Sequence, residues 1–481
     1  MRRAELATAR KAAGYTQEGL AAALNVDRST VIRWEAGDYS PLPYLRPKLA
    51  RLLRQTPEQL RALIDGDAGS TPDTLSPDVE AACTWLDERL NWKPGTSARR
   101  VMAHLPKTRR ELTTRQARRA RVSRSDVVAA LRAYYGTDPD YSLYTAHFGG
   151  QALETSILTR PDWLDLNIPL DETTDGLTLA PTASKPTAEP VPEAALERLA
   201  EVEAVGVRVT NEQTYRLLDV DIRDGLIRGT VDVTPFLEYA LTLDLLESEL
   251  LDALAAGKPI KPGSLPLRDR YLPSLASVVD LPSRLCAGGV LALCAIARPA
   301  GKHGPADHLL LIQERSQLVV NAARQLTVIP KGFHQPMTDV YADTSVRSTL
   351  LRELEEELFG RTDLDNTVSA QRAALPMHPE RLSEPMRSLL ANDGLRLECT
   401  GFGFNLLSGN YEFACLLTID NNYFWPQYGG QAEANWEVKR LQSYPSGHTG
   451  SLAHLRINPT WNNEGLFTFA HGMNRLGLTS P

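Results

Sequence analysis

The chain has no run of about 18 apolar residues, which leaves no stretch for an ordinary membrane-spanning helix. It has no Cys-x-x-Cys pair. The five cysteines (Cys83, Cys286, Cys294, Cys399 and Cys415) are scattered and odd in number. That argues against a disulfide framework and for buried thiols in a reducing, cytoplasmic setting. His334, His448, His454 and His471 stand at no metal-ligand spacing with those cysteines, so each reads as a surface or hydrogen-bonded histidine. The opening "MRRAELATARKAAGYTQ" lacks an apolar core and a cleavage site, so it does not read as a signal peptide. No internal repeat is present beyond two basic helix-turn-helix patterns.

What the chain has is an uneven charge. Residues 1–64 hold eleven Lys/Arg against six Asp/Glu, and residues 93–132 hold twelve against two. With a net charge of −7, the remainder carries −22. A basic front joined to an acidic body predicts a polyanion partner for the front. At 481 residues the chain is too long for one ordinary core, and about three domains are expected.

In "TQEGLAAALNVDRSTVIRWEAGDYSP", Thr16 suits an N-cap, and Leu20, Ala21 and Leu24 form an apolar stripe. Asp27 is placed to cap a second helix with Val31, Ile32 and Trp34 facing inward. Two short helices with a tight turn predict a helix-turn-helix. Through Gln17, Ala21, Val26, Ser29, Thr30, Ile32, Trp34, Glu35 and Gly37, residues 3–64 resemble the Cro/C1-type (XRE) DNA-binding domain. The resemblance implies that Arg28, Ser29, Thr30 and Arg33 face the major groove of double-stranded DNA and that Gln17 contacts its backbone. It also implies a homodimer on a two-fold site. Arginine donating twice to a guanine edge is the chemistry behind that arrangement.

A second basic stretch, "ARRARVSRSDVVAAL", resembles the helix-turn-helix of Lac-repressor-type regulators. Ala117 takes the crossing position, Val122 the turn, Ser123 the cap, and Val127 and Leu131 the inner face; Arg121 departs from the expected turn glycine. Arg115, Arg118, Arg119, Arg121 and Arg124 are its candidate phosphate contacts. The alternative is a basic helix lying on an acidic partner surface.

Further on, "DETTDGLTLAPTASKPTAEPVPEAA" (Asp171–Ala195) reads as a linker. Alternation around Asp224-Gly225 predicts a hairpin, and Phe236–Gly257 an amphipathic helix. Arg268, Asp269, Arg270 and Tyr271 read as surface decoration rather than a pocket lining. The expected layout is an all-α helix-turn-helix domain (1–66), a basic helical region (75–170), a linker (171–195), an α/β middle region (196–284) and a C-terminal α/β sandwich (285–481).

The sandwich follows from apolar strands at Gly289–Pro299 and His308–Ser316, then "QLTVIPKGFHQP", the acidic helix "TSVRSTLLRELEEELFG", two more strands and a closing helix. Arg352, Glu353, Leu354, Glu356 and Glu357 give this module a resemblance to the Nudix fold, with Gly332 in the glycine turn. Glu353, Glu356 and Glu357 lie at i, i+3 and i+4, so one helical face presents three carboxylates suited to Mg²⁺ or Mn²⁺ on a diphosphate. Arg352 is placed to hold that face. The resemblance makes Glu353 and Glu357 catalytic if the module hydrolyses. The family's other glutamate and glycine positions hold Thr344 and Thr338, Phe359 stands where its last glycine falls, and the loop after Gly332 is about six residues longer. Asp339 and Asp343 are the carboxylates available to that loop, and Trp425, Tyr428 and Trp436 are candidates for stacking on a base or for the core.

The excess of 15 positive charges over the two basic segments argues against a protein–protein adaptor, and two readings lead. One is a DNA-binding regulator whose Nudix-like domain senses a phosphorylated or nucleotide-like molecule. The other is a Mg²⁺-dependent hydrolase of nucleoside-diphosphate-type substrates carrying a DNA-binding domain.

Overall fold

The computed structural model describes residues 4–24, 26, 28–36, 41, 45–55, 59–60, 63–64, 74–181, 188–301, 304–315, 325–337, 339–359, 377, 382–391, 394–421, 423–428 and 438–479. The chain divides into two compact units, Met1–Thr74 and Leu75–Pro481.

The smaller unit is helical: α1 (Ala4–Ala12), α2 (Gln17–Leu24), α3 (Arg28–Ala36) and α4 (Arg46–Leu53). Thr16 accepts the amide of Gly19 at 2.9 Å and so caps α2 as expected. Leu20, Ala21 and Leu24 of α2 meet Val31 and Trp34 of α3 and Leu49 and Leu53 of α4 in one core. Ile32 departs from the expectation and is 41% exposed. Val31 and Trp34 sit three apart and share a helical face; Ile32, about 100° further round, leaves it.

The larger unit begins with α5 (Pro77–Arg89), α6 (Thr96–Arg119) and α7 (Arg124–Tyr135). Strands β1 (Ser142–Phe148), β2 (Gln151–Thr159), β3 (Ile168–Pro169) and β4 (Asp175–Leu179) follow, then α8 (Pro192–Val205). The expected hairpin is β5 (Gln213–Arg223) and β6 (Leu226–Pro235), with Asp224 and Gly225 both at positive φ in the turn. The single helix expected over Phe236–Gly257 is two, α9 (Phe236–Ala240) and α10 (Leu245–Ala255). Between them Thr242 turns its hydroxyl onto the Glu238 carbonyl, a local bond that competes with helix continuation.

Later elements include β7 (Gly288–Arg298), β8 (Asp307–Arg315), β9 (Leu326–Val328), β10 (Lys331–Phe333), α11 (Val346–Leu358), β11 (Leu395–Asn405), β12 (Tyr411–Ile419), β13 (Val438–Pro445) and α12 (Asn463–Arg475), with short helices between them. One mixed sheet runs β1-β2-β11-β12-β7-β8-β13, with β10 on β7, β3 on β11 and β9 on β8. A second sheet runs β4-β6-β5. Strand β7, paired parallel with β12, explains the layering. Its Val290, Ala292, Cys294 and Ile296 share a core with Leu350 and Leu354 of α11. Its Leu291, Leu293 and Ala295 share another with Leu466, Phe469 and Met473 of α12. Alternate residues point to opposite faces, so the sheet is sandwiched between the two helices and β7 reads as an unbroken apolar run.

This sheet crosses the boundaries expected at residues 170, 195 and 284. Strands β1 and β2 pair into the same sheet as β7 and β12, and residues 75–481 form one unit. The stretch Asp171–Ala195 is not merely a linker: its "DGLTL" is β4, paired parallel with β6. Asp175, the first residue of β4, accepts the amides of Val346 (3.2 Å) and Arg347 (2.8 Å) at the start of α11. Thr, Pro and Ala around a five-residue strand hid it. Arg268 is fully buried rather than decorative, donating to the carbonyls of Leu406 (2.5 Å), Leu407 (2.8 Å) and Leu246 (3.2 Å). All five cysteines are buried free thiols. Tyr428 packs in the core; Trp436 and the Trp425 side chain lie outside the described residues.

Candidate nucleic-acid interface and acidic-helix site

Helix α3 presents Arg28, Ile32 and Arg33 to the exterior, with Thr30 half-buried. The Ser29 side chain, and Asp27 and Gly37, lie outside the described residues. Arg28 meets Glu18 of α2 at 3.1 Å, both side chains more than half exposed. Such a surface pair is worth little and gives way readily to a phosphate or base. Exposed Ile32 is a surface residue that the inward assignment missed. It lies one turn from Arg28 on the same face, where an apolar side chain can meet a thymine methyl. Its signal was the i, i+4 spacing from Arg28.

Gln17 is not free at the helix start. Its amide donates to Glu35 at 2.8 Å, and Glu35 also accepts Arg10 at 2.6 Å. Arg10 in turn donates to the Tyr15 carbonyl at 2.6 Å. This network ties α1 and α3 to the start of α2, and so fixes the angle at which α3 is presented.

The second basic stretch has a different geometry from the one expected. Helix α6 runs for 24 residues, and Ala117, expected at a buried crossing, is exposed. Ser123 does cap α7, in a reciprocal box with Asp126, and Val127 and Leu131 are buried. Two of the candidate arginines are spent internally, and a third meets a surface carboxylate. Arg119 donates twice to Asp252, both at 2.7 Å, and to Glu201 at 3.2 Å. Arg124 donates to the carbonyls of Glu154 and Trp461, each at 3.1 Å. Arg115 pairs with Glu111 at 3.8 Å. Arg118 and Arg121 are exposed. On α7 the other cation, Arg132, is bound to Glu154 at 2.5 Å. Helix α7 therefore offers no cation to a groove, and a second recognition helix is not what this stretch builds.

The acidic helix α11 is locked onto the glycine turn. Arg352 is 2% exposed and donates from one nitrogen to the Phe333 carbonyl (2.9 Å) and to Glu353 (2.7 Å). The Glu353 carboxylate rests over Gly332, where a Cβ would stand 1.9 Å from its oxygen. Glu357 accepts the Lys331 amide at 2.7 Å. Glu355 faces elsewhere, taking the Ser383 amide (2.7 Å) and hydroxyl (2.6 Å). Among the described residues no three His, Cys, Asp or Glu side chains converge in a group that could hold a metal ion.

The lengthened loop is closed by His334. Its Nδ1 accepts the Tyr411 hydroxyl and its Nε2 donates to the Thr344 carbonyl, each at 2.8 Å. Burial pushes its pKa down to about 3, with Arg352 adding to the effect, so the ring stays neutral. Thr344 donates its hydroxyl to the Leu177 carbonyl at 2.8 Å. Asp343 accepts the amides of Met337 (2.9 Å) and Asp339 (3.2 Å), and Asp339 those of Tyr341 (2.9 Å) and Ala342 (3.2 Å). Both acids thus hold the loop's own turns. Thr338 lies outside the described residues.

Sequence reading missed a group of polar residues next to this turn. The Lys331 ammonium donates to Glu464 at 2.7 Å. Glu412 of β12 is buried, and its carboxyl is pushed up to about 8 by burial and by Glu464, with Lys331 opposing. Burial, then Asp244 and Glu464, raises Glu247 to about 7. Four acids scattered over 220 residues of sequence have no common spacing, so only the fold assembles them.

Residues 6–60 match the helix-turn-helix family model. The chain carries the DNA-binding helix-turn-helix of transcription regulators, formed by α1 to α4. No curated protein matches the chain. No helix among the described residues is long and apolar enough to cross a membrane.

Proposed function

We propose that the chain is a cytoplasmic, homodimeric transcription regulator of the XRE type whose larger unit is Nudix-like and senses a phosphorylated or nucleotide-derived small molecule. The observation that carries the sensing half is the seat of Glu353 on Gly332 beneath Arg352. That seat joins the glycine turn to the acidic helix, inside a sheet flanked by helices. The carboxylate donors suit Mg²⁺ or Mn²⁺ by type. Their arrangement does not fit a three-carboxylate site, because Glu353 is bound to Arg352 and Glu357 to the Lys331 amide. The glutamate expected at Thr344 is a hydroxyl spent on Leu177. Binding without turnover therefore fits these residues better than hydrolysis.

The test is a panel of dinucleotides and nucleoside diphosphate sugars offered to the full chain with Mg²⁺ or Mn²⁺. Saturable binding by calorimetry, with no release of phosphate or nucleoside monophosphate, is the expected result. Turnover abolished by Glu356→Gln with Glu357→Gln would establish the hydrolase reading instead.

A further inference from the structure

We infer that helix α6 carries a separate phosphate-binding stripe, and that it takes the sugar-phosphate backbone of duplex DNA without a recognition helix. Lys107, Arg110, Thr114, Arg118 and Arg121 recur at steps of three and four, so they line one face of α6 and the turn after it. All five are exposed. From Lys107 to Arg118 the stripe runs about 16 Å at about 1.5 Å per residue. That matches the rise of four or five phosphates of one strand at about 3.4 Å each.

Two adjoining grooves follow the stripe. One, of about 560 Å³, is lined by Arg110, Arg115 and Arg118. The other, of about 590 Å³, is lined by Arg118, Arg121 and Lys258. The acids beside them are partly offset, although Asp126 keeps its charge. Glu111 faces Arg115, and Asp252 is held by two nitrogens of Arg119. Asp126 is engaged in capping α7. Among the described residues Lys107, Arg110, Arg118, Arg121 and Lys258 have no carboxylate partner, in contrast to Arg115, Arg119 and Arg132 around them. The internal pairs thus do structural work, and they leave a row of unspent cations in a chain whose net charge is −7. Backbone amides and base edges play no part, so the stripe binds by charge and is indifferent to sequence. Duplex DNA is the polyanion chosen because the same chain has a helix-turn-helix, and to that extent the inference rests on the DNA-binding reading.

The experiment uses the full chain with Arg110, Arg118 and Arg121 each replaced by glutamine, in the native background and in an Arg28→Ala/Arg33→Ala background. All three sites are exposed, so folding is unaffected, and circular dichroism confirms it. Affinity for the selected duplex and for a scrambled duplex is measured from 50 to 200 mM salt. Each lost phosphate contact lowers the slope of log affinity against log salt by about 0.9, so a drop of about 2–3 is expected in both backgrounds, with the selected-to-scrambled ratio unchanged in the native one. An unchanged slope in both backgrounds overturns the stripe while leaving the helix-turn-helix standing. A native chain that binds neither duplex overturns both.

Discussion

Arg28→Ala combined with Arg33→Ala reduces binding of the selected duplex to the level of a scrambled one, while the smaller unit keeps its fold. Neither side chain belongs to the core of Leu20, Leu24, Val31 and Trp34, so truncation leaves the helices packed. The Arg28–Glu18 pair that is lost is a solvent-exposed one, worth a few tenths of a kcal/mol. A bidentate contact from arginine to a guanine edge discriminates by about 1–3 kcal/mol. Removing two such contacts therefore costs on the order of a hundredfold or more in specificity. Electrophoretic mobility shift against a selected and a scrambled duplex checks it, and undiminished preference would remove α3 as the reading helix.

Gly332→Ala lowers the stability of the larger unit by about 3 kcal/mol and abolishes ligand binding. The added methyl would stand 1.9 Å from the Glu353 oxygen and 2.0 Å from its carboxyl carbon. Glu353 cannot swing away cheaply, because it is the charge partner of Arg352, which is 2% exposed. Displacing one member of a buried pair leaves the other uncompensated, at about 3–5 kcal/mol, and local relaxation recovers part of that. Strand β10 is also paired with β7 through Gly332 and Val290, so the backbone has little room to yield. Urea unfolding is the measurement. A Gly332→Ala variant as stable as the native chain would show that the seat of Glu353 is not a tight one.

Much of this was legible in the sequence where a signal was local. Thr16, the apolar stripe of α2, the Asp224-Gly225 turn and the run "GVLALCAIA" each state their structure within a few residues. Ile32 misled because the apolar pair Val31-Ile32 does not reveal which member faces the core; Trp34 three residues on settles it. The second basic stretch misled because arginines spent on internal carboxylates look the same in sequence as arginines facing solvent. Asp252 and Glu201 lie more than eighty residues from Arg119, and only the packing of α6 against α8 and α10 brings them to it. The same reason hid β4, whose partner β6 arrives some fifty residues later, and the group around Lys331. The acidic helix was readable as a helix. Its attachment to Gly332 needed the fold, because a turn and a helix twenty residues apart are joined here by a loop that His334 and Thr344 close.

The central claim is that one chain reads DNA with its smaller unit and a nucleotide-type ligand with its larger one. A ligand shifts DNA affinity only by as much as it prefers one state of the protein over the other. The most direct measurement is the affinity of the full chain for its selected duplex, with and without a saturating dinucleotide or nucleoside diphosphate sugar shown by calorimetry to bind. The account predicts a change of about 5–150-fold, the usual range of such coupling. That change should be absent in Gly332→Ala. Equal DNA affinity with and without the bound ligand would contradict it.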